Sequence, residues 1–370
     1  MSEYKDDFEY EDTDTETTNN AASHPKKSKK KFKPNKEGMI ALVELVLIIL
    51  AVVLIIVMVI HAINNASHQS ETTDKGSTQT TTLAETTETT TPAPSWMKNY
   101  KQISVDSTLR FEGYQVLVNE NNKFTFPDSM VKGSSLADLY ESRDTYYVLP
   151  QAKGYYINKN IVSYIQQVCS ALKQEFSDYY ANNKVMVRYA YRTYEDQEKI
   201  ASSVSGASSA GCSDYHTGLS LYFYVYTSDG KIAELPTLQA EWLDENACKY
   251  GFVVRFESDK KEITGLAAEP GHVRFVDVVA ATVMTRENLC LEEYVDMVKT
   301  HTEEPYECTV DGRDYYIYYV PADTTSTKTQ ISVPENCKQV DSFISQSGIT
   351  SGMYTISGDN SSGFIVIIAK

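Results

Sequence analysis

Residues 39–63 form an almost unbroken aliphatic run, with Glu44 its only acid, and a block of lysines stands directly before it: Lys26, Lys27, Lys29, Lys30, Lys31, Lys33 and Lys36. Nothing else in the chain constrains its organisation so strongly. A run of this length, at about 1.5 Å per helical residue, crosses a hydrocarbon core of about 30 Å. A secretory signal has a shorter apolar core and a small-residue cleavage site, and Asn64-Asn65-Ala66 is a poor one. The expectation is an uncleaved single-pass transmembrane helix. Lysines ahead of the span place the N-terminus in the cytoplasm and everything beyond His61 outside. Glu44 sits near the cytoplasmic end, where its carboxyl reaches the interface.

Composition divides the rest. Residues 1–38 open with eight acids among Thr, Ser and Asn and close with the lysines, too polar to bury a core, so a disordered tail is expected. Residues 64–96 are low-complexity Thr, Ser, Gln and Glu ending in Thr91-Pro92-Ala93-Pro94, a stalk. The net charge of −16 is the wrong sign for a nucleic-acid partner. Six cysteines follow the span, Cys169, Cys212, Cys248, Cys290, Cys308 and Cys337. Outside the cytoplasm they permit disulfides in fifteen connectivities, with Cys308–Cys337 the favoured pair and buried thiols the other reading for Cys169 and Cys248.

From residue 97 the periodicities predict a folded α+β domain. Apolar positions 161, 165, 168, 172 and 176 mark an amphipathic helix over 160–180. Strands are predicted at 185–190, 219–226 and 252–256. Helices are predicted at 195–203, at 238–250 with Gly251 as its cap, at 276–286 and at 291–301. Residues 305–370 change character to strand-like runs at 315–320, 331–333, 354–357 and 364–368, a small β appendage to the 97–304 domain.

Four segments in order carry a resemblance. They are Tyr191-Arg192-Thr193-Tyr194 with Gln197; Cys212-Ser213-Asp214-Tyr215-His216-Thr217-Gly218-Leu219-Ser220-Leu221-Tyr222; Trp242-Leu243 and Asn246-Ala247 through Tyr250-Gly251-Phe252 to Arg255-Phe256; and Ile263-Thr264-Gly265 leading to Glu269-Pro270-Gly271-His272-Val273-Arg274-Phe275-Val276. Over roughly residues 140–300 the chain resembles the VanY-type D-alanyl-D-alanine carboxypeptidases of peptidase family M15B. The resemblance implies a small antiparallel sheet with flanking helices, peptidoglycan stem peptides as ligands, and a zinc-bound water activated by a glutamate. Three protein ligands and an open position lower the pKa of such a water and polarise the scissile carbonyl.

The implied pattern is Ser-x-His-x-x-Gly-x-Ala-x-Asp, then Glu-x-x-His. Here only His272 matches a ligand and Glu269 matches the base; Tyr215 and Tyr222 occupy the other two ligand positions, and Gly271 replaces an expected Trp. Phenols are absent from the usual zinc ligand sets. His216 and Asp214 flank the first position, but on an extended chain a neighbouring residue points to the opposite face. Arg192, Gln197 and Ser213 match substrate-facing positions, and an arginine fork suits a terminal carboxylate. Three readings stand: a metal-free pseudo-peptidase that binds stem peptides, with no cofactor; an active zinc carboxypeptidase with an unorthodox ligand; and a structural or signalling membrane protein whose outer fold is a scaffold.

Overall fold

The computed structural model describes residues 94–340 and 352–370. The tail, the apolar run and the stalk lie outside the described residues, among which no helix is long and apolar enough to cross a membrane.

In chain order the main elements are β1 (Tyr100–Asp106), β2 (Leu136–Asp138), β3 (Tyr156–Asn158), α1 (Val162–Glu175), β4 (Lys184–Tyr189), α2 (Tyr194–Ser203), β5 (Ser220–Tyr226), β6 (Ile232–Glu234), α3 (Thr237–Asn246), β7 (Phe252–Val254), β8 (His272–Phe275), α4 (Val278–Glu287), α5 (Leu291–Lys299), β9 (Tyr306–Val310), β10 (Arg313–Pro321), β11 (Lys328–Pro334), β12 (Lys338–Gln339), β13 (Met353–Gly358) and β14 (Gly363–Ala369). The fold mixes helix and sheet, as the periodicities predict. The helix expected over 160–180 breaks at Phe176, whose ψ of 44° leaves the helical region, and resumes as one turn.

The first sheet runs β4-β5-β8-β7, antiparallel throughout, with β6 added along the outer half of β5. Its register decides the site. Tyr189 pairs with Tyr222, and Tyr222 pairs with His272, so three rings stand in one row across three strands. Paired residues project to the same face. At the β7 edge, Gly251 takes φ +80° to end the helical turn after α3. A Cβ there would drive into the Phe275 ring, which packs in the core beneath.

The second sheet runs β12-β13-β14-β10-β9. Its central strand β14 is apolar and buried along its whole length because both faces are covered. Ile365, Ile367 and Ala369, with Tyr315, Ile317 and Tyr319 of β10, join the core shared with the first sheet and its helices. Phe364, Val366 and Ile368, with Tyr318 and Val320, face a separate cluster that includes Ile331 and Val333 of β11. β1 pairs with β11 along seven residues, a partnership the sequence does not announce.

All six cysteines are free and buried. Cys308 belongs to the shared core and Cys337 to the cluster on the opposite face of the sheet, so the pairing expected between them does not form. Denatured without reductant, the chain is expected to take up alkylating reagent at all six cysteines by mass spectrometry. Uptake at four would show that a disulfide exists.

Candidate functional site

The site begins with a buried carboxylate. Residues 214–217 form one 3₁₀ turn, closed by Gly218 at φ +65°. The turn drives Asp214 into the interior, 2 % exposed. There Arg274 Nη1 reaches its Oδ1 at 2.5 Å, Arg255 Nε approaches the same oxygen at 3.4 Å, and the Ser220 hydroxyl donates to Oδ2. Arg255 also holds Glu292 of α5 through two parallel bonds of 2.8 and 2.9 Å. Arg274 donates to the carbonyls of Tyr114 and Val116. Burial alone would raise the Asp214 pKa; the guanidinium groups of Arg274 and Arg255 outweigh it and hold the carboxyl down at about 2. Removing one member of such a network strands an uncompensated charge, at about 3–5 kcal/mol.

His216 is fixed just as fully. Its Nδ1 donates to the carbonyl of Arg192 at 2.8 Å, and its Nε2 accepts from the Gly211 N–H at 3.0 Å. Burial lowers its pKa, and the bond from Gly211 requires the neutral ring. Asp214 and His216 are therefore structural. The reason differs from strand alternation, since this segment is a 3₁₀ turn rather than an extended chain.

The turn leaves Tyr215 facing a cleft of about 540 Å³, which Tyr189, Arg192, Gln197, Ser213, Tyr222, Tyr224, Glu234, Glu269 and His272 also line. The cleft thus brings together Arg192, Gln197, Ser213, Tyr215, Tyr222, Glu269 and His272, and leaves out His216. The Tyr215 ring is clamped on two sides. Arg192 lies over it at 4.2 Å from the centroid, and the His272 imidazole stacks against it at 4.4 Å and 18°. Burial raises the Tyr215 pKa well above that of a free phenol, and Glu269, Tyr222 and Tyr189 add to the rise although Arg192 opposes it. The phenol keeps its proton.

Arg192 donates from Nη1 to the Gln197 amide oxygen at 3.1 Å, and Gln197 is braced in turn by its own bond to the Ser208 carbonyl. Both ends of the Gln197 amide are thus engaged within the protein, and it supports the guanidinium. The other nitrogens of Arg192 and the hydroxyl of Ser213 bond to no other described residue. Sequence reasoning missed Tyr189, Tyr224 and Glu234. Tyr224 follows from two-residue alternation after Tyr222. Tyr189 needed the strand register, and Glu234 needed the β5–β6 hairpin, through which it accepts from Tyr224 at 2.7 Å and Tyr222 at 3.2 Å.

Residues 155–278 match the VanY family of D-alanyl-D-alanine carboxypeptidases. A D-alanyl-D-alanine carboxypeptidase of Enterococcus faecium is 29 % identical over 276 residues, 73 % of this chain and 80 % of that protein. A D-alanyl-D-alanine carboxypeptidase of Enterococcus faecalis is 34 % identical over 114 residues, 31 % of this chain and 41 % of that protein. Among solved structures, the vancomycin-resistance D,D-dipeptidase VanXYg in complex with a D-Ala-D-Ala phosphinate analogue superposes with a TM-score of 0.56 at 26 % identity, covering 73 % of this chain and 99 % of that one. Residues 155–278 thus lie in a D-alanyl-D-alanine carboxypeptidase-like domain. Within that class, the chain resembles the VanY type.

The zinc of that family is tested by the donors present. His272 Nδ1 donates to Glu269 Oε2 at 2.6 Å, which turns Nε2 inward. Nε2 is sealed from solvent with no hydrogen-bond partner among the described residues, 4.0 Å from Asp214 Oδ2. That orphaned atom is one donor where a site needs three. Asp214 is committed to two arginines, His216 to two backbone groups, and the phenols of Tyr215 and Tyr222 are both pushed up by burial. Among the described residues no three His, Cys, Asp or Glu side chains converge on a point. The residues present do not fit a zinc ion.

Two departures from the family motif prove to be one packing event. A Cβ on Gly271 would lie 2.7 Å from Tyr222 Cδ1 and 2.5 Å from the Phe223 carbonyl oxygen. The Tyr222 ring fills space that any larger residue at 271 would need. Gly271→Ala is expected to cost about 1–3 kcal/mol in denaturant unfolding, as overpacking does. In a Tyr222→Ala background the same change should cost measurably less. Strict additivity of the two changes would contradict this coupling.

Proposed function

We propose that the chain is a membrane-anchored, extracytoplasmic pseudo-peptidase that binds the D-Ala-D-Ala ends of peptidoglycan stem peptides without zinc-dependent hydrolysis. The observation that carries the reading is the Tyr215 ring wedged between Arg192 and His272. It stands at a ligand position of the family motif, while the arginine beside it, which lines the cleft, keeps donors that bond to no other described residue. Peptide-end recognition is supported by the likeness to D-alanyl-D-alanine carboxypeptidases and to a dipeptidase solved with a D-Ala-D-Ala analogue. The anchor is residues 39–63, with the lysines on the cytoplasmic side and the Thr-rich stalk giving the domain reach. The retained Glu269–His272 pair is what favours the second reading, an active zinc carboxypeptidase.

The test uses the full-length chain in detergent and a synthetic peptide ending in D-Ala-D-Ala. Calorimetry is expected to show saturable binding that Arg192→Ala weakens by about 10–100-fold, the worth of a hydrogen bond to a charged group. No D-Ala should appear on prolonged incubation. Release of D-Ala that depends on Glu269 would establish the second reading, and binding indifferent to Arg192→Ala would remove the peptide-end site.

A further inference from the structure

We infer that the Tyr215 hydroxyl is a ligand-binding donor, placed to hydrogen-bond the terminal carboxylate of the peptide beside Arg192. This deepens the reading of the cleft as a peptide-end site and rests on it.

Three observations carry the assignment. First, the ring has no freedom. Arg192 covers one part of it at 4.2 Å from the centroid, and the His272 imidazole stacks nearly parallel at 4.4 Å. The residue is 6 % exposed, so its hydroxyl is pre-positioned and loses little entropy on binding. Second, the hydroxyl bonds to no other described residue, and it is not among the polar atoms sealed from solvent without a partner. The ring lines the cleft, so the hydroxyl opens onto it. The neighbouring phenol differs, since Tyr222 already donates to Glu234. Third, the surroundings select an acceptor. Ser213, 2 % exposed, and Arg192 line the same wall, and the Ser213 hydroxyl and the guanidinium nitrogens of Arg192 other than Nη1 bond to no other described residue. A phenol hydroxyl can donate to an acceptor in the cleft that its ring lines. It is therefore a standing donor beside a fixed cation, an arrangement that suits an anionic oxygen.

The chemical class follows. The ligand end is a free carboxylate, and a C-terminal amide or ester presents a weaker acceptor at the same place. Two guanidinium donors, a phenol and a serine hydroxyl would together bind both carboxylate oxygens, with no bond made or broken.

The experiment pairs a change in the protein with a change in the ligand. Full-length chain in detergent, wild type and Tyr215→Phe, is titrated with a peptide ending in D-Ala-D-Ala and with the same peptide as its C-terminal carboxamide. The Phe ring preserves both stacking contacts, and an unchanged melting temperature checks this. Tyr215→Phe is expected to weaken the acid-ended peptide by about tenfold or more and the carboxamide by about threefold or less, because hydrogen bonds to charged acceptors are the stronger. Equal losses for the two peptides, or no loss for either, would overturn the assignment while leaving an Arg192-dependent site standing. A wild-type chain that binds neither peptide would overturn the peptide-end reading itself, and this inference with it.

Discussion

The buried carboxylate of Asp214 is the constraint on which the rest of the site depends. A charge taken out of water must be paired and hydrogen-bonded, or its desolvation dominates. Here the pairing comes from far along the chain: Arg274 on β8, Arg255 just after β7, and Ser220 on β5. Through Arg274 the same network grips the carbonyls of Tyr114 and Val116, and through Arg255 it grips α5. One carboxylate therefore fixes the 3₁₀ turn against the sheet, a helix and the incoming N-terminal segment. The direction of Tyr215 into the cleft follows from the direction of Asp214 into the core.

The cleft that results is aromatic where its relatives' motif calls for metal ligands. Tyr189, Tyr222 and His272 form a row set by strand register, and Tyr215 lies across His272 from the turn above. Gly271 and Tyr222 are coupled by space, since a Cβ at 271 would collide with the Tyr222 ring. These residues make a packed unit; among the described residues, His272 Nε2 is sealed within it without a partner, while the Tyr215 hydroxyl opens onto the cleft. Glu269 is held against the far nitrogen of that ring and retains an exposed side.

The sequence made much of this legible, for identifiable reasons. Strong periodicity located α1, β5 and β10. The four motifs located Arg192, Ser213, Tyr215, Glu269 and His272 in one site. What stayed hidden was long-range. The ion network joins residues 41 and 60 positions apart. No local pattern reveals that Arg255 and Arg274 are buried, because arginine is buried only when a partner arrives from elsewhere. β1 reads as an ordinary polar stretch, and its strand state exists only through β11. The β14 run suggested a strand, but the reason for its unbroken apolar character is that the sheet is covered on both faces.

On the reading we propose, this site holds a peptide end rather than a metal. Elemental analysis of the purified full-length chain, after mild chelation and zinc re-addition, tests it most directly. Zinc is expected far below one equivalent, unchanged by His272→Ala. Near-stoichiometric zinc that His272→Ala abolishes would contradict that reading and return the chain to the zinc carboxypeptidases.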